Sequence, residues 1–210
     1  MAAILFADVG RGNQKYELLK AEILRSITLW ENGTGLDFQD VTSSTSPPSR
    51  RIRFQRSSDT TCSWASSSGI ADMRESCARH EIGHALGLAH EQNRNGRDAF
   101  VTVNWNNIET KHCHQFDESI DVSRNSAAYD FSSIMHYKAN FFSCNKKPTL
   151  TAVAPNVINR TDTISAGDFQ AVMDLHGIRR PTVSLISFVF DYSLIGVISG
   201  NDMILKAGYQ

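Results

Sequence analysis

Residues His80-Glu81-Ile82-Gly83-His84-Ala85-Leu86-Gly87-Leu88-Ala89-His90 fill the pattern HExxHxxGxxH at every fixed position. Residues four apart on a helix project from one face, a turn apart, so His80 and His84 can grip one ion together. On a continuous helix His90 would lie about 9 Å beyond His84 along the axis, out of reach of a Zn–N bond of about 2.0–2.1 Å. The chain must therefore turn back, and Gly87 permits the reversal because it takes positive φ without a Cβ clash. Three neutral imidazoles then hold one Zn2+ and leave a fourth position open to water, which the metal's undiminished charge acidifies. Glu81 adjoins His80 on the same helix, placed to take the proton during attack on a carbonyl and to hand it to the leaving amine. That is the chemistry of peptide hydrolysis. Taken singly, each histidine would be read as core packing and Glu81 as surface charge. In register they would arise by chance in about one chain of this length in 10^5.

The elements that must position this group are legible in part. Ala2 to Asp8 reads as a short strand, and Tyr16, Leu19, Ile23, Ile27 and Trp30 recur at three- and four-residue steps, the spacing of an amphipathic helix that Gly33 and Gly35 end. Leu36 to Val41 and Arg51 to Arg56 alternate apolar and polar residues as strands do, with a Ser, Thr and Pro loop between them. The metal helix is expected from about Cys77 to Leu86, stopping at Gly87. From His90 to Asn159 periodicity is weak, which predicts a loop-rich lobe held by side-chain packing and by a Cys113 to Cys144 bridge. Ser165 followed by Asp168 matches an N-cap with an acidic third residue, opening a helix that carries Phe169, Val172, Met173 and His176 on one face and stops at Gly177. The stretch from Pro181 to Gln210 is apolar, interrupted by Asp191, and lacks a helical or alternating pattern. Its pieces are too short to span a bilayer.

Composition narrows the class of partner. The chain has 210 residues, 41% apolar and 20% charged, enough for one globular unit or two small lobes sharing a core. With 21 Lys and Arg against 22 Asp and Glu, no net field draws it to nucleic acid or to an anionic membrane. Met1 to Asp8 lacks the basic start and the apolar length of a secretory signal peptide. Cys62, Cys77, Cys113 and Cys144 contain no CxxC pair, so they read as two disulfides, with four free buried thiols as the alternative. The sequons Asn32-Gly33-Thr34 and Asn159-Arg160-Thr161 suit a secreted protein. His112, His114 and His176 have no such frame as the triad has and read as ordinary surface or packing histidines.

His90 is followed directly by Glu91-Gln92-Asn93-Arg94-Asn95-Gly96-Arg97-Asp98-Ala99-Phe100-Val101, which is similar to the HEQxRxDRDxYV segment of the astacin family of zinc metallopeptidases, within the metzincins. Ser133-Ile134-Met135-His136-Tyr137 resembles the SxMHY Met-turn of the same family, and Ile164-Ser165 through Asp168 its LSxxD helix start. The likeness runs roughly from Ile4 to Gly177. It implies an α+β, zincin-like fold of two lobes: a twisted sheet with two long helices above the cleft, and an irregular lower lobe with a C-terminal helix. The catalytic domain would occupy 1–178, with lobes of about 1–90 and 91–178, leaving 179–210 as an unassigned tail.

The resemblance also implies roles. Met135 would form an apolar floor beneath the metal, and Tyr137 would be a further zinc ligand that swings away to stabilise the oxyanion. Glu91 would stand near the buried amino terminus of the mature enzyme, a boundary that Met1 falls slightly inside, so that a fragment or an incorrectly started gene model is expected. Arg160 is the nearest candidate for an arginine that favours an acidic residue on the leaving side of the cut bond, although four steps rather than three separate it from Ile164. Cys62 near Trp64 implies a Cys62 to Cys77 bridge. The stretch from Trp64 to His80 is shorter than in the family, so that the substrate-pairing edge strand, around Ile70 to Arg74, is expected to be trimmed. No cysteine stands near His176 to tie the last helix to the upper lobe. The expectation is a secreted, monomeric endopeptidase with one Zn2+ per chain and with protein or peptide substrates, neither nucleic acid nor membrane being a partner. The competing reading, a non-catalytic zinc-binding interaction module on the same fold, has the intact ligands and Glu81 against it.

Overall fold

The computed structural model describes residues 2–6, 14–48, 51–54, 75–118, 128–179, 194–199 and 202–207. The chain divides into two compact units, Met1–Arg180 and Pro181–Gln210. In the first, β1 (Ala2–Phe6) is the central strand of a three-stranded sheet, flanked by β2 (Phe38–Asp40) and β3 (Ile52–Phe54). Both neighbours run parallel to it, with Ile4 opposite Asp40 on one side and Ile52 on the other. A parallel pair requires a crossover, and the long helix α1 (Gln14–Thr34) supplies it between β1 and β2.

Helix α1 buries the face that its spacing marks. Ile23, Ile27 and Trp30 are buried, while Leu24, Arg25, Thr28 and Leu29 face solvent. Its end is made by Gly35 at φ +74, whose N–H returns to Glu31 O at 2.7 Å, and by the Thr34 hydroxyl, which donates to Trp30 O at 2.6 Å. Gly33 serves packing rather than the turn: a Cβ there would meet the Phe169 ring at 2.1 Å, so only glycine lets α1 and the last helix approach this closely. The Phe169 ring lies edge-on to Trp30, with centroids 5.5 Å apart.

Helix α2 (Glu75–Ala85) carries the histidine motif and packs beside α1, joined to it by the Trp30 indole N–H donating to Arg79 O at 3.0 Å. The last helix, α3 (Ala166–Leu175), starts at a full capping box: the Ser165 hydroxyl accepts from Asp168 N and the Asp168 carboxylate accepts from Ser165 N. It ends where expected, with Gly177 at φ +65, and His176 at its C-terminal boundary is largely exposed but turns its ring toward α2, Nε2 lying 2.9 Å from Leu86 O. Ile4, Phe6, Trp30, Ile82, Leu88, Ile134, Met135 and Val172 belong to one core shared by the sheet and the three helices.

Between α2 and α3 the described residues form short 3-10 turns and one small antiparallel pair, β4 (Val101–Val103) with β5 (Leu150–Ala152). These surround a second core of Val101, Ile108, Phe116, Tyr129, Tyr137 and Leu150. The loop-rich lobe is as expected, but the bridge meant to hold it is absent. Cys113 and Cys144 are free: Cys113 packs half-buried against the second core, while Cys144 is exposed with its Sγ 3.8 Å from Asn106 O. The lobe is held instead by backbone pairing, Cys144 N to Asn107 O and Glu109 N to Phe142 O, and by a buried hydroxyl, since Thr149 donates toward both Ala139 O and Phe141 O. The pairing of Cys62 with Cys77 and the edge strand at Ile70 to Arg74 lie outside what the structure describes.

The second unit contradicts the expectation of a patternless tail. It contains an antiparallel hairpin, β6 (Leu194–Ser199) and β7 (Asp202–Ala207), with Ser199 opposite Asp202. Apolar residues fill both strands almost without alternation, so period-two reading misses them.

Candidate metal centre

Helix α2 ends in the reversal that the spacing requires. Leu88 N returns to Gly83 O at 3.0 Å and Gly87 N to His84 O at 2.9 Å, a Schellman closure with Gly87 at φ +104. The chain then doubles back through Ala89, and His90 comes to face the two helix histidines. Its Nε2 lies 3.2 Å from His80 Nε2 and 3.1 Å from His84 Nε2. Among the described residues this is the one group of three or more His, Cys, Asp or Glu side chains that could hold a metal.

The protons explain why three nitrogens converge. His80 Nδ1 lies 2.8 Å from Ile134 O and His84 Nδ1 lies 2.9 Å from Leu88 O. A carbonyl only accepts, so each Nδ1 carries the hydrogen and each Nε2 presents a bare lone pair to the same point. Burial, the largest cause, pushes His80 down to about 3, with His84 adding to the effect, and likewise drives His90 well below its ordinary value; His84 is lowered too. Bare lone pairs repel unless something positive lies between them. Four ligands at about 2.05 Å in tetrahedral array stand about 3.3 Å apart. The observed 3.1 and 3.2 Å match that spacing, and the neutral, nitrogen-only donor set suits zinc.

The other expected residues gather around the triad. Met135 is buried with its Sδ against α2, where a Cβ on Gly83 would meet it at 2.7 Å; Gly83 thus lets the sulfur lie under the helix between the turns of His80 and His84. Glu81 is buried on that helix. Tyr137 is buried with its ring 4.7 Å from that of His90, and burial first, then the Glu81 carboxylate, push its hydroxyl up to about 12 against the opposing pull of Arg160. Arg160 stands with its guanidinium over the Phe141 ring at 5.6 Å, and its charge is felt at His80, His90 and Tyr137. Glu91 is a structural tie: its Oε1 accepts from Arg94 at 2.8 Å and from Asp130 N at 2.9 Å, while its own N–H donates to Met135 O.

Several supports carry no signature in the sequence. Asp168 reaches from the α3 cap to accept from the Ser133 hydroxyl at 2.6 Å and from Ile134 N at 2.9 Å, fixing the turn whose Ile134 carbonyl orients His80. Gln92, fully buried, accepts from Tyr137 N at 3.0 Å and donates to Asn93 Oδ1 at 2.7 Å. The Tyr129 hydroxyl and His136 Nε2 lie 2.8 Å apart inside the second core, so His136 is a packing residue although it sits in the Met-turn. The contacts of Asp168 with Ile134, of Gln92 with Tyr137 and of His80 with Ile134 join residues 34 to 54 apart, and no spacing rule relates them.

A model of the family described as Astacin, a peptidase family, matches residues 12–178. Among characterised proteins the chain is 38% identical over 96 residues to protein SpAN of Strongylocentrotus purpuratus, covering 43% of this chain and 16% of that protein. It is 42% identical over 80 residues to zinc metalloproteinase nas-13 of Caenorhabditis elegans, covering 37% and 18%. To the low choriolytic enzyme of Oryzias latipes it is 36% identical over 107 residues, covering 50% and 39%. The chain thus spans between 16% and 39% of the length of these relatives. In fold it is similar to high choriolytic enzyme 1, a hatching enzyme zinc-protease from Oryzias latipes, with a TM-score of 0.67 at 24% identity over 84% of this chain and 90% of that one.

Proposed function

From the premise that the chain belongs to the astacin family of peptidases, we propose that it is a zinc-dependent endopeptidase with His80, His84 and His90 as metal ligands and Glu81 as general base. The observation that carries this reading is the convergence of three Nε2 atoms, two of them stripped of hydrogen by carbonyl partners on the far side of their rings. When bound, zinc supplies a Lewis acid that acidifies water and polarises a peptide carbonyl.

The chain's own groups do the rest. Ile134 O and Leu88 O hold the two helix imidazoles in tautomer and angle. Glu81 accepts the proton of the attacking water and returns it to the leaving nitrogen; its burial keeps the carboxylate from being dissipated in solvent. Tyr137 offers a further ligand oxygen, and its O–H, held protonated by burial, donates to the oxygen of the tetrahedral adduct. Met135 supplies the apolar support beneath, and Gly87 the reversal. Arg160 receives an acidic side chain on the leaving side of the cut bond.

The catalytic domain in this reading is 1–178, and the chain acts as an extracellular monomer on proteins or peptides. The printed names of similar proteins, a zinc metalloproteinase and a hatching enzyme zinc-protease, favour protein substrates.

The test is to incubate metal-loaded protein with an unfolded protein substrate, with and without a chelator, and to sequence the products. Wild type should bind one zinc and cut internally, and the chelator should abolish cleavage. Glu81→Gln should keep the zinc and lose about 10^2–10^4-fold in rate. Near-full activity in Glu81→Gln would remove Glu81 from its role. Zinc binding without any cleavage in wild type would favour the non-catalytic module.

A further inference from the structure

The two cores meet at Tyr137, and its surroundings define how far the ring can move. Its backbone is fixed, since Tyr137 N donates to Gln92 Oε1 at 3.0 Å in a fully buried setting. Its side chain is packed by aromatic rings: Phe116, Phe141 and Phe142 have centroids 5.6, 5.5 and 5.4 Å from it, tilted or edge-on. These walls are apolar, so the polar contacts of the ring are confined to its hydroxyl. Among the described residues, the one hydrogen bond of the phenol oxygen is to Gln115, Tyr137 Oη donating to Gln115 Oε1 at 3.3 Å. The phenol thus spends its hydrogen on Gln115 and makes no hydrogen bond to a triad nitrogen, although its ring packs on that of His90 at 4.7 Å.

Gln115 is itself held at both ends. Its Nε2 lies 2.7 Å from His114 Nε2, which leaves the amide oxygen facing Tyr137. Its backbone carbonyl accepts from the Asn93 side chain at 3.0 Å, and Asn93 in turn accepts from Gln92 at 2.7 Å. Gln92 and Asn93 lie in the 3-10 turn that directly follows His90. One chain of amides thus joins a metal-ligand turn, the Tyr137 backbone and the acceptor of the Tyr137 hydroxyl. At 3.3 Å the last bond is long for O–H···O and weak, which suits a contact that must break and re-form.

We infer that Gln115 is a positioning residue that holds the Tyr137 hydroxyl by this hydrogen bond and so sets how readily the phenol binds the metal. The inference rests on the reading of Tyr137 as a swinging ligand. A Gln115→Leu change removes the acceptor and should shift the ligated-to-unligated ratio toward ligation by about two- to tenfold, the range expected for one net hydrogen bond. Gln115→Glu supplies a stronger, charged acceptor and should shift it the other way. The residue is half-buried at the end of a 3-10 turn, so both variants keep the surrounding packing.

The test uses the full chain loaded with Cu2+, because a phenolate bound to that ion gives a visible charge-transfer absorption that imidazole does not give. Wild type, Gln115→Leu, Gln115→Glu and Tyr137→Phe are compared at equal copper content and with thermal midpoints recorded. The band should be absent in Tyr137→Phe, stronger than wild type in Gln115→Leu and weaker in Gln115→Glu; either position-115 variant alone decides the sign. A Tyr137-dependent band that ignores residue 115, or that falls in Gln115→Leu, overturns the role of Gln115 while leaving Tyr137 as a ligand. A band absent from every protein, Gln115→Leu included, overturns both.

Discussion

Arg160 shows how a single side chain acquires meaning only from its neighbours. Its Nε is buried with no hydrogen-bond partner among the described residues, its guanidinium lies on the Phe141 ring, and its charge reaches His80, His90 and Tyr137. The buried Nε pins one side of the guanidinium, and its two terminal nitrogens can hold a carboxylate from outside by two parallel bonds. Peptide-library profiling should therefore find that wild type prefers acidic residues on the leaving side. Arg160→Ala should lose that preference by about ten- to hundredfold, the worth of a charge-assisted hydrogen bond, and Arg160→Lys should restore it only in part because an ammonium lacks the planar fork. A preference unchanged in Arg160→Ala would remove the residue from the cleft.

At the scale of elements, the decisive feature is the way α2 stops. His80 and His84 are placed by helical geometry, but His90 depends on one residue adopting φ +104. A Cβ added at Gly87 would meet nothing closer than Leu175 Cδ1 at 3.6 Å, so alanine there is opposed by its own backbone and not by crowding. Gly87→Ala should lower stability by about 1–2 kcal/mol. It should weaken zinc affinity by more than the stability loss alone explains, because the strained turn carries the third ligand away from the other two. Denaturation midpoints and competitive zinc titration on the same preparation read the two effects separately; unchanged zinc affinity would mean that the reversal is set by the residues after Gly87. The cap of α3 works across elements in the same way, since the Asp168 that closes the capping box also holds the Ile134 turn whose carbonyl orients His80.

For the whole molecule, both cores, the triad and every supporting contact belong to the unit Met1–Arg180, and the hairpin of β6 and β7 belongs to the unit Pro181–Gln210. The cores named above are built from residues of the first unit alone. A chain ending at Arg180 should accordingly keep its thermal midpoint, its zinc content and its rate of cleavage. A truncated chain that failed to fold or to take up zinc would show that the second unit is required.

The histidine triad was readable because its information is local. Helical period, a glycine at a turn and a histidine spacing act within eleven residues, and the strands, α1 and the capping box of α3 declare themselves by the same short-range rules. The resemblance of the Met-turn added Met135 and Tyr137 to the neighbourhood of the triad. The hairpin of the second unit escaped because strands apolar on both faces carry no period, and the free state of Cys113 and Cys144 because pairing depends on where side chains point. Only the tertiary structure brought Ile134 O to His80, Gln92 to the Tyr137 backbone, Gln115 to its hydroxyl and Arg160 to the imidazoles. The physical reason is separation along the chain. A hydrogen bond between residues 22 to 54 apart is set by the packing of whole elements and leaves no periodic mark on either residue's neighbours.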